Sequence, residues 1–396
     1  MWAEVENVSN TTLLTKKPKI CVISATPITI HFFFTEHIER MAGWADVHIV
    51  YNNRYHPDVQ PLGVPATTHH LAMHRSISPV ADVVAFCSLL SLFRREKFDF
   101  VVTLVPKAGL LGMIAAWCFG IGTRLHIFQG EVWASKTGIR RFILKGADKI
   151  TAACSSHLLA VSLSERMFLI SQNIVSPEKI NVLGDGSISG VNPDRFKPNK
   201  TERYAMRDEL KIPQAATIIL FVGRLARDKG LFELFQSFNE LCRTQNDLFL
   251  LIVGPDDDGI VGDLKSNVTC EHQEHVRFVG LTDEAEKFMA TADIFCLPSY
   301  REGFGLAALE ASACELPVVG TDIHGLRDAV SHKETGLLVP PGEVAALTES
   351  LSCLIQDKSM MAELGSKGRQ RAVDKFSSLL IIEAYDHYFR NVYIPD

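Results

Sequence analysis

Two carboxylates stand eight positions apart in Arg301-Glu302-Gly303-Phe304-Gly305-Leu306-Ala307-Ala308-Leu309-Glu310. Glu302 lies in a Gly-rich loop, and Glu310 falls in a run of small and apolar residues that reads as a helix. A carboxylate among Ala307, Ala308, Leu309, Ala311 and Ala313 is costly to bury unless something hydrogen-bonds it. A ligand rich in hydroxyls, such as a sugar, would do so. The plainer alternative is an acid favoured by the dipole in a helix's first turns. Leu297-Pro298-Ser299-Tyr300 reads as a strand end ahead of this loop. The backbone N–H groups of Phe304, Gly305 and Leu306 would then open a helix and point at an anion.

A second loop has the same setting. Phe221-Val222-Gly223-Arg224-Leu225-Ala226-Arg227-Asp228-Lys229-Gly230 runs from an apolar strand through a Gly-containing loop into a helix. Gly223 lets backbone approach a phosphate, and Arg224 and Lys229 supply compensating charge. Both loops suit a diphosphate. No G-x-G-x-x-G and no G-x-x-x-x-G-K-[ST] occurs, which argues against an NAD-type site and a P-loop. Asp256-Asp257-Asp258 has the look of a metal-binding D-x-D, but it follows Pro255 in a polar loop ending at Gly259 and is expected to be solvated. His69, His70 and His74 have no adjoining carboxylate or cysteine and read as a surface loop. No metal and no other cofactor is expected.

The elements that hold these loops follow one pattern, repeated. Strand candidates in the first half are Lys19–Ser24, Val47–Asn52, Phe100–Val105, Leu125–Phe128, Ile150–Ala153 and Ile180–Leu183, with helical stretches at Ile30–Met41, Ser78–Glu96 and Gly109–Phe119. In the second half they are Thr217–Val222, Leu248–Val253, Val276–Val279, Ile294–Leu297, Pro317–Gly320 and Gly336–Val339. Near-continuous apolar strands separated by helices mark parallel sheets covered on both faces. A polar, Pro-containing break at Asn192–Lys200 separates the two runs. The expectation is an α/β chain of two doubly wound, Rossmann-like domains facing across a cleft. The first spans 1–192 and takes back a C-terminal helix at 377–396; the second spans 193–376. Residues 1–16 read as a polar, mobile tail.

The chain has 396 residues, of which 47% are hydrophobic, enough for two buried cores. The longest apolar run, Ala108–Gly122, carries four glycines and falls short of a membrane span. The acidic N-terminus has no signal-peptide core. Nine cysteines without a C-x-x-C pair argue against zinc or a disulfide framework and for a reducing compartment. Net charge is −6, yet residues 1–190 carry 18 Lys and Arg against 14 Asp and Glu. That basic half suits an anionic surface or acceptor, while the overall sign and the lack of a long basic stripe disfavour nucleic acid.

Gly223-Arg224-x4-Lys229-Gly230 followed by Glu302-Gly303-Phe304-Gly305-x4-Glu310 resembles the retaining glycosyltransferases of the GT-B fold, family 4. Thr103–Gly112, Gln129–Ala134 and Gly186–Asn192 are similar to segments of the bacterial capsule and O-antigen members, which extend undecaprenyl-diphosphate-linked glycans at the cytoplasmic membrane face. The resemblance implies a nucleotide-sugar donor, UDP-linked, and a lipid-linked glycan acceptor. Arg224 and Lys229 would hold the donor diphosphate, Glu302 the sugar hydroxyls and Glu310 the ribose. Backbone at Gly254 and from Val279 to Leu281 would hold the base. Lys107, Gln129, Glu131 and Ser187 are the acceptor-side or cleft candidates. A cytoplasmic protein, peripheral on the inner membrane face, is implied. Two departures stand out. Ala25-Thr26-Pro27-Ile28-Thr29 lacks the glycine pair common after the first strand, and His126 sits inside a strand, as a core histidine would. A UDP-sugar 2-epimerase of similar architecture and a non-catalytic nucleotide-sugar-binding paralogue are the competing readings.

Overall fold

The structure, a computed structural model, describes residues 17–54, 63–74 and 78–393. The tail expected at 1–16 lies outside them, as do residues 394–396.

Two parallel sheets organise the chain. The first contains β1 (Lys19–Ile23), β2 (Asp46–Tyr51), β3 (Thr67–His70), β4 (Phe100–Leu104), β5 (Thr123–Phe128), β6 (His157–Ala160) and β7 (Ile180–Asn181) in the order β3-β2-β1-β4-β5-β6-β7. The second contains β8 (Thr217–Val222), β9 (Leu248–Val253), β10 (Val276–Gly280), β11 (Ile294–Leu297), β12 (Val318–Thr321) and β13 (Gly336–Val339) in the order β10-β9-β8-β11-β12-β13. Central strands such as β4 and β9 are buried along their whole length, which accounts for their unbroken apolar sequences. Each order reverses direction once, at β1/β4 and at β8/β11. Such a reversal opens a crevice beyond the strand ends, where ligands of these sheets bind. The loops after β8 and β11 carry the residues singled out from sequence, so they flank one crevice.

Helices α1 (Pro27–Phe33), α2 (Thr35–Ala42), α3 (Pro79–Glu96), α4 (Pro106–Phe119) and α5 (Gly138–Cys154) cover the first sheet. α4 packs between α3 and α5 as one layer. The C-terminal helix Ser378–Tyr393 leaves the second sheet and packs on α2. There Trp44 Nε1 donates to Asp386 at 2.7 Å, and Phe389 stands among Phe34, His37 and Phe100. The chain thus crosses between the halves twice. The crossings lie side by side: Val191 N donates to Phe376 O at 2.8 Å, and Ser378 N donates to Val191 O at 2.8 Å.

Three sequence expectations need correction. Ile150–Ala153 is the end of α5, not a strand; its short apolar run fits either element, and Thr151 Oγ1 closes on the helical carbonyl of Ala147 at 3.0 Å. The strand beside β5 is instead His157–Ala160. His69 and His70 belong to the edge strand β3 rather than a loop, and His69 Nε2 lies 2.8 Å from His48 Nδ1. The helix expected over Ile30–Met41 is broken at Phe34, where the Thr35 hydroxyl reaches back to the carbonyls of Ile30 and His31.

Candidate active site

A cavity of about 940 Å³ lies between the two sheets, within the size range of small-molecule sites. Its second-half wall is built by the loops after β8, β9, β10 and β11. Gly223, Arg224, Lys229, Gly254, Leu281, Glu302, Gly303, Phe304, Gly305, Leu306 and Glu310 all line it. Val279 does not; it sits within β10, two residues before the lining begins at Leu281.

The cations are already paired. Lys229 Nζ lies 2.7 Å from Glu302 Oε1, with both side chains 13% exposed. Ser299 Oγ donates to the same carboxylate oxygen at 2.7 Å. Arg224 Nη1 donates to Asp257 Oδ2 at 2.9 Å. Burial works against the Arg224 charge, but the hydrogen bond and charge of Asp257, with Asp228 and Glu302 nearby, raise its pKa. Asp257 is therefore not solvated, against the sequence expectation. Its neighbours also have structural tasks: Asp256 accepts from Ile260 N at 2.8 Å and Asp258 from Arg227 N at 2.9 Å.

Between these pairs the helix Leu306–Ala313 begins. Gly305 precedes it at φ +87°, and a Cβ there would also strike Leu326 Cδ1 at 2.7 Å, so this start requires glycine. Gly305, Leu306 and Ala307 at this start line the cavity together with Lys229 and Glu310, and a helix's first N–H groups have no partner within the helix. Glu310 follows on the helix wall. Burial pushes its carboxyl up to about 8, opposed by Arg195. Two cations, a helix N-terminus and two carboxylates around one cavity can neutralise an anionic centre and accept hydrogen bonds from hydroxyls on either side of it.

The first half supplies the opposite wall. Lys107 lines the cavity and is bound to Asp82, with Nζ 2.6 Å from Oδ1 and 2.7 Å from Oδ2. The preceding Val105 has φ +64° and ψ +153°, a conformation a β-branched residue adopts only under constraint. Gln129 also lines the cavity, and its Nε2 is buried without a hydrogen-bond partner. Ser187 reaches the wall, but its hydroxyl accepts from Gly190 N at 3.0 Å and holds a local turn. Glu131 does not line the cavity. It is buried behind it, with Oε2 3.3 Å from His324 Nε2 and its charge acting on Glu165. Burial, then the Glu131 charge, holds the Glu165 carboxyl well above the usual range. His126 is buried in β5 against Thr103 Oγ1 at 2.8 Å, and burial lowers its pKa to about 3.

Contacts between the halves were not legible from motifs. The Gly130 and Gly303 backbones meet so closely that a Cβ on Gly130 would lie 2.9 Å from Gly303 N. Arg301 bridges them, donating from Nη1 to Gly130 O at 3.3 Å and from Nη2 to Asp228 Oδ2 at 2.9 Å. Asp328 accepts from Ser164 N at 3.0 Å and from the Ser164 hydroxyl, which itself accepts from Gly325 N at 2.7 Å. The only sequence hint was that Arg301 adjoins Glu302.

Comparison with known proteins fits this geometry. Residues 202–371 match the family Glycosyl transferases group 1, and residues 34–186 match the Glycosyl transferase 4-like domain. The capsular polysaccharide biosynthesis glycosyltransferase CapM of Staphylococcus aureus is 31% identical over 324 residues, covering 81% of this chain and 84% of CapM. A UDP-Gal:alpha-D-GlcNAc-diphosphoundecaprenol alpha-1,3-galactosyltransferase of Escherichia coli is 26% identical over 308 residues, covering 76% and 78% of the two chains. Among solved structures, sucrose-phosphate synthase from Thermosynechococcus elongatus superposes with a TM-score of 0.80 at 21% identity, over 95% of this chain and 99% of that one.

Proposed function

The chain belongs to the group 1 glycosyltransferases, with the GT-B arrangement of two Rossmann-like halves, and on that premise we propose that it transfers a hexose or N-acetylhexosamine from UDP to a glycan carried on a polyprenyl diphosphate, with retention of anomeric configuration. The observation that carries this reading is the placement of Arg224, Lys229, the start of helix Leu306–Ala313, Glu302 and Glu310 on one cavity wall. The donor and acceptor in the Escherichia coli relative's name are of these classes, which supports the assignment.

In the proposed reaction the donor diphosphate lies against Arg224, Lys229 and the N–H groups near Gly305. Glu302 accepts from hydroxyls of the transferred sugar and Glu310 from the ribose. The base lies along Gly254 and the loop reaching Leu281. The acceptor hydroxyl enters from the first-half wall, where Gln129 Nε2 has a hydrogen bond to give. Its oxygen bonds to the anomeric carbon on the face from which the diphosphate oxygen departs, and its proton passes to that oxygen. The products are the extended glycan and UDP. The protein needs no separate base, and its work is to stabilise charge growing on the leaving group and to exclude water. Asp257 is committed to Arg224, so two cations and a helix terminus, without a metal ion, are proposed to neutralise the diphosphate. The reaction is placed in the cytoplasm at the inner membrane face. No helix among the described residues is long and apolar enough to cross a membrane, so contact would be peripheral.

A panel of nucleotide sugars tests the reading, offered with and without a polyprenyl-diphosphate-linked acceptor. Transfer that requires both substrates and survives chelation is expected. Conversion of a UDP-sugar without acceptor would show an epimerase instead, and binding without turnover on any acceptor would show a non-catalytic protein.

A further inference from the structure

Glu302 and Gly303 are held between two other backbones. A Cβ on Gly303 would lie 2.6 Å from the Gln129 carbonyl carbon on one side. A Cβ on Gly325 would lie 2.6 Å from the carbonyl oxygens of both Glu302 and Gly303 on the other. Approaches this close admit only glycine and leave no slack. Both flanking backbones run straight into one buried cluster, because Glu131 follows Gly130 and His324 precedes Gly325. Glu131 Oε2 lies 3.3 Å from His324 Nε2, with 0% of the Glu131 side chain and 18% of the His324 side chain exposed. The His324 ring stacks on Phe168 with centroids 4.3 Å apart, and Phe168 stacks on Trp133 at 5.3 Å. A polar contact and a stack of three rings thus fasten the second-half loop at His324 to the first half.

Glu165, in α6 (Leu163–Ser171), stands behind Glu131. Its carboxyl accepts from Gly130 N and, at 2.9 Å, from Val161 N, and it is hydrogen-bonded to the Glu131 carboxyl. Two buried carboxyls in contact do not both ionise, so one proton lies between them. No backbone N–H or hydroxyl reaches Glu131, so this proton and His324 are what offset its burial. Other ionisable groups surround the cluster. Asp148 of α5, pushed up to about 7 by burial, accepts from Trp133 Nε1 at 2.7 Å. Arg141 and Lys145 of α5 lie over the Trp133 ring, and Asp328 is taken by Ser164. The Tyr385 hydroxyl of the C-terminal helix is raised by burial and then by the Glu165 charge. Among the described residues, the ion-pair partner of Glu131 is His324.

We propose that Glu131, Glu165 and His324 are positioning residues, a latch fastened by one shared proton that closes the two halves on Glu302 and sets where its carboxylate meets the donor. The inference deepens the sugar-transfer reading, which gives Glu302 its task, but the latch is measured without any sugar, so the two can fail separately. Losing the shared proton leaves two negative charges side by side and loosens the contact. The Glu165 carboxyl is held above its usual range in the closed form, so the closing contribution is present at lower pH and lost as pH rises.

Hydrogen exchange of the unliganded full chain, followed in peptides spanning 129–134 and 301–306, tests the latch. Glu131→Ala and His324→Ala should raise exchange in both peptides together, about tenfold. Glu131→Gln keeps the shape, accepts from His324, donates to an ionised Glu165 and needs no shared proton. It should recover most of what Glu131→Ala loses. At matched pH its exchange relative to wild type should fall as pH rises, since only wild type loses a proton from the pair. In turnover, the Ala variants should lower kcat about tenfold to 100-fold, the cost of a misplaced group. Calorimetry should find their UDP affinity within about twofold of wild type, a split that general unfolding would not give. Unchanged exchange in both Ala variants would overturn the proposal, as would Glu131→Gln faring no better than Glu131→Ala. A ratio of Glu131→Gln to wild type that stays constant with pH would overturn the shared proton. Should the Ala variants not fold, Glu131→Gln and that ratio carry the test alone.

Discussion

Lys229 and Glu302 hold each other across 2.7 Å inside the cleft, each nearly closed to solvent. The ammonium proposed to bind the diphosphate is thus kept in place by the carboxylate proposed to bind the sugar. Binding a donor must share or break that pair. Lys229→Ala should lower turnover about 100-fold or more, the usual cost of deleting one stabiliser of developing charge. Glu302→Gln should lower turnover comparably with little effect on UDP affinity. Because each residue positions the other, the double variant should lose much less than the product of the two. A double-mutant cycle in steady-state rates checks this, and strictly multiplicative losses would mean the pair has no working connection.

Glu310 gives a signature in pH. Its folded-state pKa is raised by burial from 4.5 to about 8. Across that window the folded protein keeps a proton that the unfolded chain releases, so its contribution to stability falls as pH rises. Glu310→Gln cannot ionise. It should flatten this slope and raise Tm above pH 8 by a few degrees, on the order of 1 kcal/mol. Ribose hydroxyls donating to the carboxylate favour its charged form, so UDP binding to wild type should release protons near neutral pH. Calorimetry in buffers of different ionisation enthalpy should detect that release and find it absent in the variant, whose UDP affinity should fall about tenfold.

Ser164 and Asp328 join the halves behind the cavity. Asp328→Asn keeps the shape but replaces a charged acceptor, and should cost about 1 kcal/mol of the closed arrangement. The expected outcome is a larger average separation of the halves by small-angle scattering without donor. A weaker apparent donor affinity and little change in Tm should accompany it. An unchanged scattering profile would show that other contacts hold the cleft.

Phe389 belongs to the last helix yet is fully buried against the first half. Phe389→Ala should destabilise by about 3–5 kcal/mol, the range for deleting a buried aromatic side chain. If the halves melt in separate transitions, only the one assigned to the first half should move, which differential scanning calorimetry would resolve.

Much of this was legible beforehand for definite reasons. β8, β9 and β11 are buried on both faces, so their sequences are unbroken apolar runs bounded by turns. The loops that follow them inherit their position from the sheet. β3 was missed because an edge strand of Thr67, Thr68, His69 and His70 has no apolar run to show. Ile150–Ala153 misled because a four-residue apolar window has no period of its own. At the site, the residues proposed to meet a ligand carried a motif, whereas Asp257, Ser299 and His324, which pair with site candidates, did not. Asp257 with Arg224 and His324 with Glu131 are tertiary pairings between segments 33 and 193 positions apart. Nothing local marks either partner. Glu131, read as facing the cleft, is instead buried against His324, while Gln129, Gly130, Val132 and Trp133 line the wall.

Should the cleft open, the paired crossings at Val191 and Ser377 are placed to serve as a single pivot. Two strands of chain joined by backbone hydrogen bonds leave a pair of jaws little freedom to slide or twist, and chiefly one angle to vary. Every gap across the cleft then becomes a function of that angle. Gln129 to Gly303 and Ser164 to Asp328 would open together and in fixed proportion. One pair of spectroscopic labels, placed far from both substrates, would therefore report the whole motion.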